Sequence, residues 1–147
     1  MISVCISLNN TFTPSGNEAI CLPNFLFANT QYFLEGLNLY KDKKFDKAKF
    51  KFEQDIVFNP KSELSYLYLS KIFNKLEDKN LEEQNLNTVV LLNPKNEEAI
   101  YNLAKLKLST SDYQKSFELN DRLRSICKKF CDQSDKLKIE IDNLSKK

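Results

Sequence analysis

Four cysteines and a set of lysines carry most of the reactivity this sequence has, because it contains no histidine. Without imidazole there is no general base titrating near neutrality, no usual nitrogen partner for cysteine at zinc, and no Ser-His or Cys-His nucleophile pair. Cys127 and Cys131 stand four residues apart, which on a helix puts both thiols on one face, and the neighbouring Arg124, Lys128 and Lys129 would lower a thiol pKa. Three readings fit that spacing: a redox pair, half of a metal site, or two cysteines packed between helices. Zinc needs four ligands, so Cys5 and Cys21, or carboxylates, would have to complete a site. Packing is the reading adopted, and a thiol redox function using Cys127 and Cys131 ranks last among the functional alternatives. The sequence has no glycine-rich phosphate loop, acidic calcium loop or HExxH helix, so no catalytic residue, cofactor or metal is expected.

The elements that hold these residues are helices. Two glycines and four prolines in 147 residues leave little room for hairpins or a sandwich, and the length suits one domain with a single stacked core. Charged residues of both signs make up 29% of the chain, for a net charge of only +2, so the composition does not call for nucleic acid or an anionic membrane. The densest basic stretch, Lys41, Lys43, Lys44, Lys47, Lys49 and Lys51, is interrupted by Asp42, Asp46 and Glu53 and reads as a solvated face.

Residues 1–28 differ from the rest: they contain no lysine or arginine and one acid, Glu18. Two short apolar runs, MISVCISL and ICLPNFLFA, flank a turn at TFTPSGN, and Pro23 breaks the second. The segment reads as a poorly ordered arm, part of which folds back on the first repeat, or as an export signal cleaved after Ala19 or Ala28. The signal reading lacks a basic leading region. Localisation follows from that choice: cytoplasmic by default, periplasmic or secreted if the arm is a signal. No run reaches the roughly 18 apolar residues of a membrane span.

From Asn29 onward the apolar period is helical. Tyr32, Gly36 and Leu39 share one stripe and Phe33, Leu37 and Tyr40 a second. Phe45, Ala48, Phe52 and Ile56 give the inward face of a following helix that stops at Asn59-Pro60. A second unit starts at Ser62 as N-cap, packs Tyr66, Leu69 and Phe73, then Leu86, Val89 and Val90, and stops at Asn93-Pro94. A third packs Ile100, Leu103 and Ala104, then Tyr113, Ser116, Leu119, Leu123 and Ile126, and with no proline at Lys128 its last helix is expected to run on toward Phe130. Ser134 is expected to cap a final amphipathic helix bearing Leu137, Ile141 and Leu144.

These units resemble the tetratricopeptide repeat, whose 34-residue pattern is Trp-x2-Leu-Gly-x2-Tyr, Ala-x3-Phe and Pro. The first copy reads Tyr32-x2-Glu35-Gly36-x2-Leu39, Ala48-x3-Phe52, Pro60. The second reads Tyr66-x2-Leu69-Ser70-x2-Phe73, Glu82-x3-Leu86, Pro94, with Glu82 where a small residue belongs. The third, Ile100-x2-Leu103-Ala104-x2-Lys107, Ser116-x3-Asn120, Lys128, keeps the small residues and loses the aromatics and the proline. The resemblance implies an all-α, right-handed solenoid of about three helix-turn-helix repeats (29–62, 63–96, 97–130) plus a capping helix over 134–146.

It further implies a concave groove lined by the first helix of each repeat: Phe33, Leu37 and Tyr40; Leu67, Lys71 and Asn74; Tyr101, Lys105 and Leu108. Such a wall, apolar and aromatic with two lysines one repeat apart, suits a peptide with apolar anchors and an acidic group between Lys71 and Lys105. Some family members clamp a chaperone tail's carboxylate with lysine and asparagine in the first repeat, where this chain has Phe33 and Leu37, so that clamp is not expected. The functional expectation is a non-enzymatic protein-protein interaction module or scaffold. The alternative is a self-associating structural subunit.

Overall fold

The computed structural model describes residues 30–145; the expectations placed on 1–29, including the arm, its cleavage sites, Cys5 and Cys21, and on 146–147 lie outside the described residues. Seven helices follow in order: α1 (Gln31–Lys41), α2 (Phe45–Phe58), α3 (Glu63–Lys75), α4 (Lys79–Leu92), α5 (Glu97–Ser109), α6 (Tyr113–Ile126) and α7 (Cys131–Leu144), with no strand among the described residues. Each helix packs on its successor and α7 also reaches α5, while no substantial contact joins α1 to α6 or α7. The helices therefore form an open row of hairpins. The second helices start 34 residues apart, at Phe45, Lys79 and Tyr113.

The hairpin turns repeat with the same period. Lys43, Glu77 and Ser111 all have φ near +60°, the left-handed region, although none is glycine. At each turn the next amide closes a six-to-one bond, Lys44 N to Leu39 O, Asp78 N to Phe73 O and Asp112 N to Lys107 O, at 2.9 to 3.0 Å. These are Schellman motifs, which satisfy carbonyls that the ending helix leaves open. The following helices start on Lys44, Asp78 and Asp112, and the two aspartates accept from Leu81 N and Lys115 N. Ser62 does occupy the N-cap site of α3, but its hydroxyl donates to Ser65 Oγ and caps no amide.

Small residues mark where the paired helices cross. Gly36, Ser70 and Ala104 are all buried, as are Ala48 and Ser116 on the second helices, while the equivalent position of α4 buries Glu82 instead of a small residue. A Cβ on Gly36 would lie 2.9 Å from Cε1 of Phe52, a fully buried ring. That ring also packs on Phe33 and stacks on Tyr68 of the next hairpin. Helix α3 serves both neighbours: Leu69, Ile72 and Phe73 join the first hairpin's core, whereas Leu67 joins the cluster of the third hairpin and α7.

Two sequence expectations are corrected at the C-terminal end. Helix α6 stops at Ile126 instead of running on to Phe130, so Cys127 and Cys131 do not share a helical face; they flank a turn and are joined by a disulfide. Helix α7 starts at Cys131, three residues before the expected cap, and Ser134 is buried inside it, bonded to Asn120. The turn is stable without proline because Glu97 Oε2 accepts the backbone N–H groups of Lys128, Lys129 and Phe130 at 3.0, 2.8 and 2.9 Å. That triple contact holds the Glu97 carboxyl below its ordinary pKa.

Candidate functional site

The hairpin geometry leaves a cleft of about 650 Å³ between α3 and α5, rimmed by Tyr40 of α1 and by the start of α4. Its cations are Lys71, Lys75, Lys79 and Lys105; its anions are Glu77, Glu82 and Glu98. Lys71 is already occupied: its Nζ lies 2.7 Å from Glu98 Oε1 and 4.8 Å from the centre of the Tyr68 ring. Among the described residues, Lys75, Lys79 and Lys105 have no carboxylate within ion-pair distance, and Lys105 rests over Tyr101 at 5.8 Å. Lys79 Nζ donates to the Ser109 carbonyl at 3.4 Å, so the charges of these three lysines face the cleft with no carboxylate paired to them among the described residues.

Glu82 forms part of the cleft wall. It stands where the repeat pattern expects a small residue, and its side chain is buried with both oxygens accepting from Asn74 Nδ2 at 3.0 and 3.2 Å. Burial pushes its pKa up, against the pull of Asn74 and Lys79. Asn74 is fixed in turn, with its amide nitrogen turned to Glu82 and its carbonyl oxygen left as an acceptor.

Of the nine groove residues the sequence suggests, the cleft is lined by Tyr40, Lys71, Asn74 and Lys105. Leu37 and Tyr101 are half-buried and packed on the two core clusters. Phe33, Leu67 and Leu108, expected on the groove wall, are buried in the core. The reason is local. Large apolar side chains beside the packing stripe turn into the gap between helices, as Phe33 does against Phe52 and Tyr68, and most of the chains that reach the cleft are polar. The cleft is consequently more polar than expected. Sequence reading missed Lys75, Lys79, Glu82, Glu98 and Asn102. Lys75 was legible one turn beyond Lys71 and Glu98 two turns before Lys105, but Lys79 and Glu82 come from α4, which a rule based on first helices alone cannot select.

No family model and no curated protein matches the sequence. Solved structures do match the fold. The TPR2B domain of yeast Sti1, solved as a complex with pHsp70, superposes with a TM-score of 0.72 at 16% identity, over 78% of this chain and 95% of that one. The chain has a tetratricopeptide-repeat fold. A second tetratricopeptide-repeat structure, the first such domain of Spaghetti (RPAP3) bound to the HSP90 peptide SRMEEVD, gives 0.71 at 14% identity, covering 79% and 91%. The Yersinia enterocolitica type III secretion chaperone SycD, in complex with a peptide of the translocator YopD, gives 0.70 at 14% identity, covering 80% and 93%. In this tetratricopeptide-repeat chain no described helix is long and apolar enough to cross a membrane.

Proposed function

We propose that this chain is a non-enzymatic protein-interaction module that takes an acidic peptide segment of a partner in the cleft between α3 and α5. The observation that carries the reading is the set of three lysines, Lys75, Lys79 and Lys105, facing one cleft without carboxylate partners among the described residues. Tyr40 and the Asn74 carbonyl supply an aromatic rim and an acceptor, and Lys71 acts through Glu98 to hold α3 against α5. The similar structures solved with peptides support the same use of the fold.

The test is a selection of heptapeptides from a random library on the full chain, followed by anisotropy titration of the best binders. Selected peptides should be enriched in Asp and Glu, and Lys75→Glu with Lys105→Glu should weaken them about tenfold or more, with affinity falling as salt rises. Selected sequences without acidic bias, or affinities untouched by the double substitution, would overturn the reading.

A second reading, self-association, is favoured by Val57 and Leu91, which occupy the same repeat position and are 74% and 80% exposed. Sedimentation showing only monomer at high concentration would remove it.

A further inference from the structure

The junction between α6 and α7 differs from the other two hairpin-to-hairpin junctions. Where Asn59 and Asn93 cap α2 and α4 ahead of a proline, Cys127 caps α6, and Cys131 opens α7. The three residues between them are tied to α5: their amides go to Glu97 Oε2, and the Phe130 ring packs on Tyr101 at 5.5 Å. Both cysteines are partly exposed. The charged groups around them are Lys128 and Lys129, exposed; Arg124, which pairs with Asp135 across the junction at 3.3 Å; and Glu97 and Asp132. Neither sulfur is sealed from a small thiol, and nearby cations favour a thiolate leaving group.

We propose that Cys127–Cys131 is a site of reversible thiol–disulfide exchange, with a low-molecular-weight thiol such as glutathione as reductant, whose state sets how firmly α7 is held on the stack. A first reductant thiolate attacks one Sγ, the S–S bond breaks, and the other cysteine leaves as thiolate and takes up a proton. A second reductant thiolate then attacks the mixed disulfide, releasing the first cysteine, which is protonated in turn, and the small disulfide. Two electrons and two protons pass from two small thiols to the two cysteines. While α7 is docked, Glu97 and Tyr101 hold the turn after reduction, so the thiols of the docked state stay adjacent and the bond reforms there without a search.

The consequence for α7 is entropic. Its docking rests on Leu137, Ile141 and the Asn120–Ser134 pair. With the disulfide intact an undocked α7 remains tethered through a short closed loop, and opening that loop enlarges the undocked ensemble about tenfold. This does not depend on what the cleft binds.

The test uses the full chain with and without glutathione or dithiothreitol. Tryptic mapping of the oxidised sample should recover residues 125–128 linked to 130–136, and alkylation after mild reduction of the folded protein should label both cysteines. Amide exchange across α7 should then quicken about tenfold on reduction, with α1 to α4 unchanged. A Cys127→Ser, Cys131→Ser variant should exchange at the reduced rate under both conditions. The proposal is overturned if the bond resists reduction until the protein unfolds, if α7 exchanges equally in both states, or if the variant still responds to reductant.

Discussion

Asn120 shows how a single side chain can replace the repeat's expected chemistry. It occupies the position of Phe52 and Leu86 in the earlier hairpins, and is as buried as they are, yet it is polar. Its amide donates to Ser134 O at 3.0 Å and its oxygen accepts from Ser134 Oγ at 2.8 Å. Asn120→Ala should therefore cost about 1 to 3 kcal/mol in chemical denaturation, because inside the core the Ser134 hydroxyl loses its 2.8 Å acceptor and keeps only the longer 3.4 Å contact to the backbone carbonyl of residue 120. A double-mutant cycle with Ser134→Ala should return a coupling of roughly 1 kcal/mol. Glu97 and Glu82 act at the same scale with opposite signs. The folded-state pKa of Glu97 is lowered, so its contribution is present above the unfolded pKa and lost as pH falls through the folded value. That of Glu82 is raised, so the folded state is favoured below the unfolded pKa and loses that advantage as pH rises through the folded one. Melting between pH 3 and 7 should show Glu97→Gln removing stability mainly above about pH 4 to 5, and Glu82→Gln removing the opposing decline. Equal pH profiles for wild type and both variants would contradict these assignments. Neither role was legible in sequence: Asn120 reads as a lost aromatic and Glu82 as a defect, because each is explained by a partner distant in the chain or on the facing helix.

At the scale of the element, the 34-residue period was readable because Gly36, Ala48, Phe52 and the two Asn-Pro pairs are side-chain solutions to a packing problem. The turns were not readable in the same way. Lys43, Glu77 and Ser111 adopt a conformation that glycine takes without steric cost, and their own types give no sign of it. Ser111→Gly and Glu77→Gly should each raise stability by about 1 kcal/mol, read as a shift in denaturation midpoint, because the left-handed penalty is removed at an exposed site. Gly36→Ala should do the reverse despite alanine's better helix propensity. Its new Cβ meets Phe52, which Phe33 and Tyr68 hold from two sides, so a loss of about 1 to 3 kcal/mol is expected. The stop of α6 escaped prediction for a related reason: helix ends marked by proline are visible, whereas one secured by Glu97 gathering three amides from 31 to 33 residues away is not.

For the whole molecule, the open row of hairpins explains why architecture was easier to infer than the site. Repeated side chains specify how neighbours stack, and that arithmetic is carried by the sequence. The cleft is a by-product of stacking, drawn from α1, α3, α4 and α5 together, so its lining depends on which side chains the core does not consume. Phe33, Leu67 and Leu108 were consumed; Lys75, Lys79 and Lys105 were not. The central claim is that this lysine-bearing cleft is the surface the chain offers to a partner. It is tested most directly by mapping amide chemical shifts during titration with a selected acidic peptide. The account predicts perturbations concentrated in residues 71–82 and 98–109. Shifts confined to the exposed faces of α2 and α4 around Val57 and Leu91, with the cleft silent, would contradict it.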